Sequence, residues 1–479
     1  MNFIYFNPDE MRADLLGCYG HSSAKTPNLD RFAAEGVRFD QCHVQHTVCT
    51  PSRCSFMTGW YPHSRGHRTL WHCLRPDEPN TLRYLKDAGY EVAWAGKNDL
   101  LSPESFALST TTVFDWGYAD TGTRQPAATD PHFRSFLYSP MTREPAERQL
   151  LETAQQFLKN RRPDDPPFML YLPWLMPHCP YTVPEPWYSM YDPADLPPLR
   201  PADLPNKPMF HRLIRQYRHL EKLDDYQLRR IMAVYLGMIS YVDHLFGELL
   251  QTLDETGLAA TTTVFFFSDH GDWAGDYGLV EKWPSGLDDC LTRIPMIVRT
   301  PDNCAGHVVH EPIECFDIVP TTLELAGISL AHVQHGRTML PQLHGKAGDP
   351  DRAVFAEGGY DPHEPHCFEG KAAPGDGLLD NFANIYYPKG LLQQEVPESV
   401  CRAAMIRTST HKLIRRRNGE HELYDLVADP DELHNRYNDA QLADVRRQLT
   451  ERMLDWYITT ADAVPTDPDP RGFPPTILV

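Results

Sequence analysis

Residues Thr263-Val264-Phe265-Phe266-Phe267-Ser268 form a strand-favouring run with no alternation of polar and apolar positions. Such a run has no side to offer to water, so it predicts a strand at the centre of a sheet, covered on both faces. Asp269-His270-Gly271 follows at once, with the glycine letting the backbone turn. A second short apolar run, Phe3 to Phe6, ends in Asn7-Pro8-Asp9-Glu10 and reads as a buried strand whose carboxyl end delivers two acids. Ligands of open α/β sheets gather at such strand ends, so Asp9 and Asp269 are expected to face one another across a cleft.

The stretch Cys49-Thr50-Pro51-Ser52-Arg53, followed by Thr58-Gly59, is expected between them. Thr50 suits a helix N-cap and Pro51 the first helical position, which places Cys49 just outside a helix N-terminus, where N–H groups converge on anions. Arg53, four residues on, leans over whatever Cys49 holds. On these grounds Cys49 is expected to be reactive. The residues alone leave three readings: an activated thiol, a small buried residue at a helix start, or a chemistry that spacing does not reveal.

The remaining chain fills in an α/β pattern. Thr26-Pro27 opens a helix carrying Leu29, Phe32 and Ala33, ended by Gly36, and Val37 to Val44 reads as a strand. Asn80 to Ala88 is a short helix stopped by Gly89, and Tyr90 to Ala95 is a strand with Gly96-Lys97 at its carboxyl end. Residues 101 to 142 lack a clear period and predict a loop region at a functional rim. A helix around Leu150 to Leu158 precedes a buried strand, Phe168 to Leu172, which leads to Pro177-His178-Cys179-Pro180. Residues 183 to 208 are proline-rich and predict a surface excursion. Ile231 to Leu249 carries the apolar stripe of a long helix. Ile294 to Val298 reads as a strand whose Pro295 suits a sheet edge. Residues 357 to 398, rich in Gly, His and Pro, suggest a lid that offers His363 and His366 to a substrate. Three short strands, Met405 to Thr408, Lys412 to Arg415 and Glu422 to Leu426, and a helix through Leu442 to Tyr457 close the chain.

Size and charge narrow the class. At 479 residues the chain exceeds one ordinary domain, so a large α/β unit over 1–385 and a small unit over 386–479 are expected. A net charge of −20 argues against nucleic acid as a partner, and an anionic substrate must find a local positive pocket. No apolar run is long enough to span a bilayer. Eleven cysteines without paired spacing suit a reducing cytoplasm, with the periplasm as the alternative if a leader has been removed.

The motif C-x-P-S-R with the later Thr-Gly resembles the signature of the sulfatase family, within the alkaline-phosphatase superfamily, and the other motifs follow in family order. The resemblance implies a large, mostly parallel mixed sheet sandwiched by helices, with a small C-terminal antiparallel sheet plus helix; Glu422-Leu423-Tyr424-Asp425-Leu426 and Asp429-Pro430-Asp431-Glu432 resemble that terminal sheet. It implies that Cys49 is converted to formylglycine by a maturation enzyme and acts as nucleophile. It implies a divalent ion, Ca2+ first, with Mg2+ or Mn2+ possible, on Asp9, Glu10, Cys49, Asp269 and His270. Arg53, Lys97, His178 and Lys282 correspond to anion-contacting and proton-transferring residues, and Asp99 stands where the family often has histidine, beside the substrate. The implied activity is hydrolysis of a sulfate monoester, with a small sulfated sugar favoured by the rim composition. Relatives with Asp-His at the second metal motif include phosphonate monoester and phosphodiester hydrolases, and a non-catalytic binding protein is the further alternative.

Overall fold

A computed structural model describes residues 1–114, 129–364, 379 and 381–463. Its centre is a nine-stranded sheet built from β1 (Asn2–Pro8), β2 (Val37–His43), β3 (Glu91–Ala95), β4 (Thr112–Phe114), β5 (Phe168–Trp174), β6 (Thr262–Phe267), β7 (Arg293–Ile294), β8 (Met296–Arg299) and β9 (His307–Glu314). The order is β4-β3-β5-β1-β6-β8-β2-β7, with β9 also paired to β2. The block β4-β3-β5-β1-β6 is parallel throughout. Strand β8 runs antiparallel between β6 and β2, which makes the sheet mixed.

The unbroken apolar runs are explained by two cores. Ile4 and Phe6 of β1 and Val264 and Phe266 of β6 point into one, against the long helix Asp225–Glu255 and the helices Pro27–Glu35 and Ala146–Lys159. Phe3, Tyr5, Phe265 and Phe267 point into the other, against the helices Cys49–Thr58, Thr81–Asp87 and Ile318–Leu325. Each strand therefore buries both sets of alternating side chains, as a helix-covered parallel sheet requires.

Pro295 does not mark an edge. It splits the expected strand into β7 and β8, and β8 lies inside the sheet. The break falls where the chain changes partner. Val298 and Ile297 pair with Val37 and Arg38 at the start of β2, whereas Ile294 and Arg293 pair with Cys42 and His43 at its end. A residue without an N–H is tolerated at that discontinuity because no ladder bond is due there.

The small antiparallel sheet has the order β10-β11-β12-β13, with β10 at Val354–Gly358, β11 at Ala403–Arg407, β12 at His411–Arg416 and β13 at Glu422–Asp425. Its edge strand β10 thus comes from before residue 385. The helix Ala443–Thr460 packs Leu449, Met453 and Trp456 against Ile406 and Leu413. No described helix is long and apolar enough to cross a membrane.

Candidate active site

Four neighbouring parallel strands, in the order β3-β5-β1-β6, end on one edge of the sheet, and each delivers chemistry just past its last residue. Lys97 follows β3, His178 follows β5, Asp9 and Glu10 follow β1, and Asp269 and His270 follow β6. Backbone bonds keep the strand ends in step: Asp9 N–H donates to the Trp174 carbonyl at 3.1 Å and Lys97 N–H to that of Pro173 at 2.8 Å.

The helix Cys49–Thr58 supplies the fifth component. Its N-cap is Val48, so Cys49 is the first helical residue, one step further in than the position expected outside the helix. Ser52 Oγ donates to the Asp269 carbonyl and ties this first turn to the end of β6. Cys49 is buried, and burial, reinforced by the Asp9 carboxylate, pushes its thiol well above the ordinary range.

Asp9, Cys49, Asp269 and His270 form a buried group whose ligating atoms all lie within 4.8 Å of one another. Cys49 Sγ is 3.6 Å from Asp9 Oδ1 and 3.3 Å from His270 Nε2. His270 Nδ1 lies 2.9 Å from the Gly271 carbonyl, which can only accept, so Nδ1 carries the proton and Nε2 presents its lone pair to the group. Arg53, wholly buried, spans the two acids at 3.2 Å from Asp9 Oδ2 and 2.9 Å from Asp269 Oδ2. Lys97 Nζ sits 2.7 Å from Asp9 Oδ2 and 3.7 Å from Cys49 Sγ. Burial opposes ionisation of Asp9, yet Lys97 and Arg53 together hold its carboxyl well below the usual range. Two carboxylates and one imidazole nitrogen, gathered with the side chain of residue 49, suit a divalent cation of oxygen and nitrogen preference.

Glu10 does not join that group. Its backbone adopts φ 64°, a left-handed conformation uncommon outside glycine, while its N–H donates to Asp269 Oδ1 at 3.1 Å. The turn aims its side chain at Lys282, with which it forms a close ion pair, and at His178 Nε2, 3.2 Å away. Lys282 Nζ also donates to His178 Nε2 at 3.0 Å. Burial and then Lys282 hold His178 well below its ordinary pKa, so the ring is neutral. The acid expected as a fifth ion ligand therefore pairs with Lys282 instead, while burial raises its carboxyl well above the usual range.

Asp99 also pairs with Lys97, at 2.7 Å, and marks the wetter side of the site: exposure is 0% at Asp9, 14% at Lys97 and 25% at Asp99. His363 is exposed, its backbone N–H donates to Asp361, and no described contact links its side chain to the group. His366 lies outside the described residues. Two participants escaped the sequence reading. Tyr171 accepts from Arg53 Nη1 at 3.4 Å and donates to Asn7 Oδ1 at 3.1 Å, and Asn7 donates to the Phe267 carbonyl, so a polar chain underlies Arg53. The available signal was a phenol and an amide inside strands read as buried on both faces, since such groups need partners.

A family model described as Sulfatase matches residues 1–328, and one described as N-sulphoglucosamine sulphohydrolase, C-terminal, matches residues 382–458. The chain is 27% identical to an uncharacterized sulfatase, YidJ, of Escherichia coli, across 95% of this chain and 86% of that protein. It is 25% identical to the N-acetylglucosamine-6-O-sulfatase of Bacteroides thetaiotaomicron, across 98% and 88%. In fold it is similar to the phosphonate monoester hydrolase of Agrobacterium radiobacter, with a TM-score of 0.75 at 24% identity and 96% of both chains covered.

Proposed function

The chain belongs to the sulfatase family and is a sulfatase, and on that premise we propose that it hydrolyses a sulfate monoester carried by a small carbohydrate, with residue 49 as the nucleophile. The observation that carries this reading is the convergence of Asp9, Cys49, Asp269 and His270 on one point, with Arg53, Lys97 and Lys282 supplying positive charge around it. The similarity to an N-acetylglucosamine-6-O-sulfatase along nearly the whole chain supports a sugar as the alcohol.

Asp9, Asp269, His270 and the side chain of residue 49 would hold a divalent ion, Ca2+ in the first instance, with Mg2+ and Mn2+ also compatible with the donor set. Bound there, the ion would polarise oxygen and offset negative charge. Formylglycine at position 49, made by a maturation enzyme, would supply a hydroxyl in place of a thiol whose ionisation burial opposes. The chain's own residues do the rest. Arg53 fixes the two acids. Lys97, held between Asp9 and Asp99, faces the sulfate oxygens. Lys282 carries the mobile proton next to neutral His178, and this pair delivers a proton to the departing alcohol oxygen. Stabilising charge on the attacking and leaving oxygens in a buried site is where such a reaction gains most.

His270 in the ion-holding group favours one rival, a phosphonate monoester or phosphodiester hydrolase with the same nucleophile, in keeping with the fold likeness. Asp99, in place of histidine, is the feature that favours a non-catalytic binding protein. Initial rates on sulfated monosaccharides, an aryl sulfate, a phosphonate monoester and a phosphodiester separate the three. The reading expects the highest kcat/KM on a sulfated sugar. A phosphonate monoester turned over faster than every sulfate ester would overturn it, as would inactivity on all of them with formylglycine in place.

A further inference from the structure

On a protein of net charge −20, one cleft of about 310 Å³ is lined by five arginines, Arg68, Arg402, Arg415, Arg416 and Arg417, and a single acid, Glu357. It lies where β10, β11 and β12 meet the helix Ala443–Thr460, whose Met453 and Tyr457 form its apolar floor. Arg416 is buried and spends its guanidinium on Glu422 and the Ser285 carbonyl, which makes it a fixed part of the wall. Arg68 pairs with Glu357 at 3.1 Å, Arg417 with Asp361 and Arg402 with Glu364. Arg415 has no carboxylate partner among the described residues; it donates to Tyr437 Oη at 2.9 Å. Four carboxylates thus answer five guanidinium groups, and each guanidinium carries five N–H donors, more than these pairings use. Two neighbours register the surplus. Arg402 is held below its ordinary range by burial and by Arg68, and His421 by burial and by Arg415 and Arg416.

The cleft adjoins the catalytic segments. Glu357 N–H donates to the Gln45 carbonyl at 2.9 Å, four residues before Cys49, and Gly359 N–H to that of Pro284 at 2.7 Å, two residues after Lys282. His46 is close enough to Glu357 and Arg68 of the cleft, and to His270 of the ion-holding group, for all three to bear on its titration.

We infer that this arginine cleft is a second anion-binding site that takes a further sulfate or carboxylate of the same carbohydrate, so that the preferred substrates are oligosaccharides with more than one negative group. Planar guanidinium forks match the oxygens of both groups and bind them in pairs of hydrogen bonds. The substrate class rests on the sulfatase reading above; the anion site does not.

Calorimetric titration with sucrose octasulfate, with inorganic sulfate as the single-anion control, tests the site directly on the full chain and on the double variant Arg402→Gln/Arg415→Gln. Removing two exposed or half-exposed arginine charges should weaken octasulfate binding about tenfold, with the melting temperature unchanged and a smaller loss for inorganic sulfate, which engages the cleft through one anion only. Equal octasulfate affinity in the two proteins, or none in the wild type, overturns the inference. In parallel, kcat/KM on a singly charged aryl sulfate should be the same in both, while that on a disulfated disaccharide falls in the variant through KM; a matching fall on both substrates also counts against the cleft. If neither protein hydrolyses the aryl sulfate, the catalytic reading fails and the calorimetry still decides the anion site.

Discussion

At the scale of single residues, the site is defined by which groups are kept neutral and which are kept charged. Arg53 and Lys97 hold Asp9 as a carboxylate against burial, whereas His178 and His270 are driven neutral, chiefly by burial. His46 illustrates the consequence outside the ion-holding group. Its Nδ1 accepts from Val48 N–H at 3.1 Å, at the entry to the helix Cys49–Thr58, and burial lowers its pKa to about 3. In the unfolded chain the same ring takes a proton near pH 6.5. The neutral ring therefore contributes its full stability above about pH 6.5 and loses it progressively as pH falls toward 3, by about 1.4 kcal/mol per pH unit. Urea unfolding of wild type and His46→Gln at several pH values checks this. The stability difference between them should shrink as pH drops from 7 to 5; a constant difference would contradict it.

At the scale of elements, much of the architecture was legible because the signals were local. The runs Phe3 to Phe6 and Thr263 to Ser268 could only be buried strands, and their trailing acids had to emerge at the ligand edge. What was not legible depended on partners far along the chain. Pro295 suggested an edge because nothing local says that β2 is long enough to pair with β8 at one end and β7 at the other. Glu10 suggested an ion ligand because its left-handed backbone and its pairing with Lys282, 272 residues away, leave no trace in the neighbouring sequence. Gly271 was expected for its freedom to turn, but the structure shows a different need. A Cβ there would lie 1.9 Å from the Cys290 carbonyl oxygen, and the Gly271 N–H donates to Leu291 across the same contact. Gly271→Ala should therefore push the Asp269-His270 segment off its mark, costing about 3 kcal/mol of stability and about a hundredfold in kcat. Thermal melting and steady-state rates measure both, and a variant with wild-type kcat would show that the segment tolerates displacement.

At the scale of the whole molecule, one edge of one sheet collects charges from across the sequence, and the bound ion and the fold should depend on each other. Arg53 and Lys97 already answer the two buried carboxylates, and a cation held by the same oxygens would tie the strand ends together further. Stripping divalent ions with a chelator should lower the melting temperature by several degrees, since an ion at a hundred times its Kd contributes about 2.7 kcal/mol. Adding back Ca2+, Mg2+ or Mn2+ one at a time should restore it in order of affinity. An unchanged melting curve would mean that the group folds equally well without an ion. The mostly parallel sheet with its covered central strands and the small terminal sheet were open to a reader of the sequence, whereas the strand order and the arginine cleft were not, because β10, β11, β12 and the segment near Arg68 meet only in three dimensions. The account as a whole stands on an oxygen nucleophile at position 49. Preparations differing in formylglycine content, quantified by mass spectrometry of the peptide that contains residue 49, should release sulfate from a sulfated monosaccharide at initial rates proportional to that content, with no activity at zero content. A rate independent of formylglycine content would contradict it.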